Sequence, residues 1–474
     1  MTTPVLVGVG TASQRCDDPR EAAEPLELMQ RALDAAAGEV PGIRDHLDRI
    51  AVPHGRWSYG DPGRLLAPQA TSVLAEVGVL QHTLIADAAE LIARGEIGAA
   101  AVVGGEAGHR LAQASRAGIE VADTPDDGKP DIHLAAADEL IHPVEKRAGL
   151  NRAANAYAVL ESAFGHRHGL TPAQTRDRIA ALYARFSEVA AANPDAWRPK
   201  PVDAASIREP SERNPMLAFP YTRAHVSSWS VDQAGALLLC STEVADELGV
   251  PPGQRVYPVV DAESNAMVAV SARDELGDSP GARAVSRAVL EHAGIGPADL
   301  DLVDLYSCFP VAVEMFAEAL GLRDDRDLTV TGGMNQAGGP FNNYVLQATV
   351  TLGRQLRARG GFGLVSGVSG LMTKQAATIW STAEPARPYS RRDVSPDLVA
   401  REVVDDHTGP ATVVGHTVLH IPKRPTRAVA VLDLPDGRRT VARNESPEIT
   451  AAMAVDDWCG RRVEVSEGEF RPSG

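Results

Sequence analysis

A length of 474 residues leaves room for two or three domains with sizeable cores, and a net charge of −17 excludes the basic face that nucleic acid or an anionic membrane would need. The four cysteines (Cys16, Cys240, Cys308, Cys459) are widely spread, with no CxxC pair and no metal-ligand spacing, which argues against a disulfide framework and a structural zinc site. No apolar run approaches the roughly 18 residues of a membrane helix, and no basic leader precedes the first strand, so the expected location is the cytoplasm.

In chain order, an apolar strand at Val5–Val9 comes first. A helical pattern over Leu26–Ala37 follows and leads into the strand pattern Leu47-Asp48-Arg49-Ile50-Ala51-Val52. The segment Leu91-x-Ala93-Arg94-Gly95-x-x-Gly98 then ends a helix, turns at glycine and enters a short apolar strand that stops at Gly104-Gly105. Both features return later in the same order. Ala282–Ala293 leads into Leu300-Asp301-Leu302-Val303-Asp304-Leu305, and Leu356-x-Ala358-Arg359-Gly360-x-x-Gly363 enters a strand ending in the glycines of 367–370. Two ordered echoes point to a duplicated unit. Alternating helices and Val/Ile/Leu strands within each unit predict a layered α/β body.

The first unit is lengthened by a polar insert, Glu106–His225. It contains amphipathic helices, one starting at Thr171-Pro172 with Gln174 completing a capping box and Ile179, Leu182, Tyr183, Phe186 and Val189 on one face. An excursion of that size beside a Gly-Gly turn is expected to cover a binding cleft. Cys240 lies in the apolar strand Ala236–Ser241 and is expected in the core. From Thr331 to Tyr344 the chain reads TGGMNQAGGPFNNY, two Gly pairs around a polar segment with a helical run following from Tyr344. Glycines so placed let backbone N–H groups approach an anion or a carbonyl oxygen. Ala386–Asp397 is rich in Pro, Arg and Ser and reads as a linker. Strand patterns at Ala411–Ile421, Ala428–Leu434 and Arg461–Val465, with a Pro435-Asp436-Gly437 turn, then predict a small β module.

Together these features resemble the thiolase superfamily, whose core is two stacked βαβαβαββ halves with an insert in the first. Residues 184–197 (ARFSEVAAANPDAW), 214–236 (NPMLAFPYTRAHVSSWSVDQAGA) and 304–311 (DLYSCFPV) are similar to sterol-carrier-type thiolases and to thiolase-like proteins of type one. The resemblance covers residues 3–385 and implies a thiolase-like αβαβα body of two duplicated halves. The β tail resembles the extra OB-like domain of type-one members. The implied limits are 1–255 for the first half with its insert, 256–385 for the second and 386–474 for the tail. Coenzyme A or an acyl-CoA is implied as ligand or substrate, with no cofactor permanently bound.

Matching motif by motif, the family's acylated cysteine falls in residues 78–82, with Gly78 its occupant, and no Cys occurs between Cys16 and Cys240. The family's histidine falls on Gly339, and no His occurs between His292 and His407. Its second cysteine belongs in Ser366–Gly370, where no Cys stands, and a His-Asp-Cys-Phe motif becomes Tyr306-Ser307-Cys308-Phe309. Claisen or thiolytic chemistry needs a thiolate and a base, so the usual route is not expected. What the resemblance leaves is a set of backbone donors around Gly78, Gly338, Gly339, Ser369 and Gly370, with Arg110, Arg152 and Arg223 as candidates for the phosphates of coenzyme A.

Candidate catalytic residues are Tyr306, Cys308, Tyr344 and Asn343. Tyr306 and Tyr344 border the presumed loops and can act as general acids or bases if burial tunes them, as in the thiolase-like aldolases of steroid side-chain breakdown; the alternative is a pair of rings lining a pocket. Cys308 has no cation nearby in sequence, so a packed thiol is the alternative to a nucleophile. Asn342-Asn343 can hold a thioester carbonyl or cap the following helix. His109 faces either the cleft or solvent. His166-Arg167-His168 has no third ligand at suitable spacing and reads as a solvated helix end, so no metal is expected. Three functions stand: an acetyl-CoA acetyltransferase-like protein that binds acyl-CoA in lipid or sterol metabolism without the thiolase nucleophile, a Tyr-dependent retro-aldolase or acyltransferase, and a non-catalytic scaffold or partner subunit. Homodimer, other protein partner and monomer remain open.

Overall fold

The sequence echoes form two sheets with the same core order. A computed structural model describes residues 2–136, 141–323 and 325–473. In the first sheet the order is Pro4–Ser13, Asp232–Ser241, Ala99–Ala107, Leu47–Pro53, Thr71–Ala75 and Ile132–Leu134. In the second it is Tyr257–Ser264, Lys374–Ser381, Phe362–Ser369 and Leu300–Asp304, with Ser390–Asp393 added outside Tyr257–Ser264. The four shared strands pair antiparallel, antiparallel and parallel in both sheets.

Helices Gln81–Ala93 and Tyr344–Arg359 lie between the sheets and touch strands of each, while Pro25–Gly38 and Pro280–Ala293 cover the outer faces. The layering is therefore αβαβα. Strands Ala99–Ala107 and Asp232–Ser241 are buried at every position because both faces are covered, which is why they read as continuous apolar runs rather than alternating ones. Each repeated Leu-x-Ala-Arg-Gly segment ends one of the two middle helices. Gly95 (φ 71°) and Gly360 (φ 81°) turn the chain there through the left-handed region, which a side chain would strain.

The insert helix Pro172–Ala192 begins at the Thr171 capping box as the sequence predicts, and buries Ile179, Leu182, Tyr183 and Phe186. The segment read as a linker is partly structural. Ser390–Asp393 joins the second sheet as an edge strand, held by Tyr389 Oη donating to Asp261 at 3.0 Å and by Arg391 beside Asp87 and Glu90.

The tail is a closed five-stranded barrel. Gly409–Leu419 pairs with Arg427–Asp433, then come Arg439–Asn444, Glu469–Pro472 and Arg462–Ser466, which returns to Gly409–Leu419. The Pro435-Asp436-Gly437 turn joins the second and third strands, with Gly437 at φ 87°. The barrel is fused to the body: the insert strand Met216–Ala218 extends it beside Leu419, and the buried Arg439 guanidinium donates to the carbonyls of Ser271, Arg273 and Asp274. Among the described residues no helix is long and apolar enough to cross a membrane.

Candidate functional site

The TGGMNQAGGP segment is shaped by one buried carboxylate. Asp304 ends strand Leu300–Asp304 and is fully enclosed. Its Oδ2 accepts from Val330 N (2.9 Å), Thr331 N (3.1 Å), Thr329 Oγ1 (2.8 Å) and Thr331 Oγ1 (3.0 Å), and its Oδ1 accepts from Tyr344 Oη (2.8 Å). Burial raises its pKa, and these donors oppose the rise. The amides of Gly332 and Gly333 donate to Thr329 Oγ1 and Thr331 Oγ1, and that of Met334 donates to Ser307 Oγ. Gly339 N donates to Ser228 O at 3.0 Å. The loop's N–H groups therefore build the loop itself, which corrects the expectation that Gly339 offers its amide to a ligand.

A cavity of about 120 Å³ opens beside this loop, where the two halves meet. Residues 77–81 line it from the first half; Tyr306, Phe341, Asn342, Val345 and residues 367–369 line it from the second. Tyr306 is the one titratable side chain among these lining residues. Burial pushes its phenol well above the ordinary value, while a hydrogen bond with Gln81 pulls the other way. Gln81 opens helix Gln81–Ala93 and ties three elements together. Its Nε2 donates to Asn342 Oδ1 (3.1 Å) and its Oε1 accepts from Val345 N (2.8 Å). Val77 is half exposed, and exposed Trp229 meets the Phe341 ring edge-on at 5.8 Å, so part of the rim is apolar.

Of the predicted site residues, the structure brings Gly78, Ser369 and Tyr306 to this cavity. Tyr344 lies in the core on Asp304 and Thr331, 99 % buried and away from the lining, because its hydroxyl completes the Asp304 network. Cys308 is bonded to Tyr157, outside the lining, and burial pushes its thiol up to about 12, so it is a neutral packed thiol. Asn343 occupies the N-cap position of Tyr344–Arg359 without a capping bond and packs against Gly104, while Asn342 faces the cavity. Gly338 (φ 108°) abuts the Gln233 side chain, and Gly370 abuts Met267; neither lines the cavity. His82 is buried, with Nε2 on Val365 O at 3.1 Å, and burial drives it down to about 4, so it is neutral.

Among the arginines, Arg110 is buried and paired with Asp123 at 2.6 Å, with Nη2 donating to Ala122 O, so its charge is spent. Arg152 stands exposed at the start of helix Ala153–Arg167, apart from the cavity lining. Arg223 is different. It belongs with Arg198 and Arg15, whose mutual repulsion adds to burial in lowering the Arg198 pKa. Arg15 lies over the Trp197 ring at 4.7 Å, and His109 meets the same ring edge-on at 5.4 Å. Arg198 N donates to Gln336 O, and Asn335 donates to Ala224 O next to Arg223, so these cations flank the glycine loop. Sequence reading missed Gln81, Arg198 and Arg15, whose roles arise only when the insert folds onto the loop.

The strand Ala99–Ala107 does not stop at Gly104-Gly105 as the sequence suggested but runs on through Glu106, whose carboxylate accepts from Arg56 N at 2.9 Å. Burial raises its carboxyl to about 7, and the Arg56 bond offsets only part of this. The folded state therefore holds this proton more tightly than the unfolded chain, and Glu106 costs stability as pH rises from the ordinary carboxylate range through about 7. Glu106→Gln is expected to stabilise the protein by about 2 kcal/mol at pH 8 and by nothing near pH 4. Urea midpoints at the two pH values check this; an equal gain at both contradicts it.

Two stacked sheets of the same core order, with a glycine loop at their junction, are a thiolase-like fold. No protein-family model matches the chain. It is similar over 99 % of its length, and 99 % of the other's, to a solved monomeric SCP2-thiolase-like protein type 1 from Mycobacterium smegmatis (TM-score 0.82, 26 % identity). A solved Ltp2-ChsH2(DUF35) aldolase shares the fold over 80 % of this chain and 97 % of its own (TM-score 0.60, 17 % identity). An acetyl-CoA acetyltransferase of Methanothermobacter thermautotrophicus is 26 % identical over 241 residues, 47 % of this chain. The chain spans 61 % of that relative's length, less than two thirds of it.

Proposed function

We propose that the protein binds coenzyme A thioesters, with the acyl group in the cavity between the halves and the nucleotide phosphates on Arg15, Arg198 and Arg223, and that it serves lipid or sterol metabolism without the thiolase nucleophile. The observation that carries this is a cavity at the junction of the two halves whose lining holds neither thiol nor imidazole, with three clustered arginines from separate segments flanking the glycine loop beside it. Gly78 stands where the family's acylated cysteine is expected, and Gly339 where its histidine is. A side chain at Gly339 would begin 3.1 Å from Met334 Cε and Ser227 Cβ, a close contact against that position. The closed barrel supports the OB-like reading of the tail, and the monomeric structural relative supports a monomer as the working state.

Calorimetry with coenzyme A, acetyl-CoA, a long-chain acyl-CoA and a steroid side-chain thioester tests the reading. One acyl class is expected to bind, and an Arg198→Glu, Arg223→Glu double variant to bind it at least about tenfold more weakly, with a reduced salt dependence. No binding by any of the four overturns it.

The position of Tyr306 favours a second reading, a retro-aldolase or acyltransferase in which its phenol moves the proton. A fold neighbour described as an aldolase keeps that reading in play. Tyr306→Phe is then expected to abolish turnover of the bound thioester with little change in its affinity; unchanged turnover removes the reading.

A further inference from the structure

The helix end His166-Arg167-His168 finds its missing ligands in the barrel. His166 closes helix Ala153–Arg167, and the turn between helix Pro447–Met453 and strand Arg462–Ser466 brings Asp457 and Cys459 against it, 291 positions on in the case of Asp457. His166 Nδ1 lies 2.6 Å from Asp457 Oδ2, and the imidazole nitrogen, carboxylate oxygen and thiol sulfur all lie within 4.8 Å of one another. Among the described residues no other set of three such groups converges in this way.

We infer that His166, Asp457 and Cys459 form a site for a borderline divalent cation of the zinc type, clamping the barrel to the body, with its remaining position open to solvent. The donor set is one imidazole, one carboxylate and one thiolate, the mixture that selects zinc and cobalt over magnesium or calcium. A tetrahedral ion with Zn–N of about 2.0–2.1 Å and Zn–S of about 2.3 Å sets its ligand atoms roughly 3.3–3.8 Å apart. The cluster meets that spacing with shifts on the order of an ångström, and the half-exposed His166 ring is free to make them.

The surroundings fit a cation. Cys459 is buried, with its sulfur in the same cluster as the His166 nitrogen and the Asp457 carboxylate. His416 stands behind the carboxylate, its Nε2 accepting from Trp458 N at 3.3 Å and lying 3.7 Å from Asp457 Oδ1. Backbone rigidity is also in place: Cys459 N donates to Asp457 Oδ1 at 2.9 Å, and Ser162 Oγ accepts from His416 N at 2.8 Å across the seam between barrel and helix. The site is independent of the thioester cavity, so its test stands apart from that of the proposed function.

The full chain, stripped of metal with chelator, is titrated with Co²⁺ and followed by absorption and melting temperature. One equivalent is expected to give a thiolate-to-cobalt charge-transfer band and a raised melting temperature. Cys459→Ser is expected to lose the band. His166→Ala, at a half-exposed position that leaves the fold intact, is expected to weaken uptake about 100-fold, and His168→Ala, two residues away and paired with Glu318, to leave it unchanged. No band in the wild-type chain, or equal uptake by His166→Ala and wild type, overturns the assignment.

Discussion

Replacing Asp304 by alanine is expected to lower stability by about 4 kcal/mol, the largest loss from any single polar side chain near the cavity. Five donors converge on this carboxylate inside a closed core. Removing it strips Val330 N of its acceptor and leaves Thr331 N, Tyr344 Oη and the two threonine hydroxyls only the bonds they make among themselves, and each buried unsatisfied donor costs on the order of 1–3 kcal/mol before relaxation. Asp304→Asn keeps the shape and one acceptor oxygen but turns an amine toward the remaining donors, so about half the loss is expected. Urea unfolding of the two variants measures both values. A loss below about 1 kcal/mol in the alanine variant would mean that Asp304 does not organise the loop. The effect is expected to reach the site, because the Tyr344 ring held by Asp304 meets the Tyr306 ring edge-on at 5.7 Å.

Gly332→Ala is expected to cost more than about 4 kcal/mol and to abolish soluble expression at ordinary temperature. Gly332 has φ 99°, where a side chain is strained whatever the space, and the space is already taken. An added Cβ would lie 2.3 Å from Ala190 Cβ, 2.4 Å from its Cα and 2.5 Å from its backbone nitrogen, inside helix Pro172–Ala192. Helix backbone cannot step aside as a side chain can. Gly339→Ala, on the same loop, is the control. Its φ is not in the left-handed region and its nearest neighbours are Met334 Cε and Ser227 Cβ at 3.1 Å, so a cost near 1 kcal/mol is expected. Melting temperatures of the two variants decide the matter; equal losses would show that contact with Ala190 does not set the cost. The contrast carries a structural meaning. The insert presses its apolar face on the loop through Ala190 at Gly332 and Phe186 at Gly333, while Asn193 Nδ2 donates to Thr331 O at 2.9 Å.

Much of the architecture was legible in the order of the residues, because the features that carry it are local and repeat. The two Leu-x-Ala-Arg-Gly segments could be read because each is a helix end, a left-handed glycine and a strand start within eight residues. The Thr171 capping box and the Pro435-Asp436-Gly437 turn are set by neighbours three or four positions apart, so they too were visible. The buried strand Asp232–Ser241 announced itself by the apolar stretch Ala236–Ser241.

The site was legible only in outline. Glycines at 332, 333 and 339 suggested open amides, yet those amides are consumed by Thr329, Thr331 and Ser228, and nothing in the sequence says which acceptor a loop will meet. Tyr306 and Tyr344 looked equivalent, but one lines the cavity and the other completes a carboxylate network, a difference set by side-chain direction in the folded core. Arg198 acquires its place only when the insert runs beside residues 336–337, and His166 gains Asp457 and Cys459 only when the barrel closes against its helix. The sequence by itself determined the duplicated α/β body, the insert and the β tail, since periodicity, caps and turns act over a few residues. Tertiary structure alone decided which groups face the cavity, which charges remain unpaired and which ligands converge, since those depend on contacts between segments hundreds of residues apart.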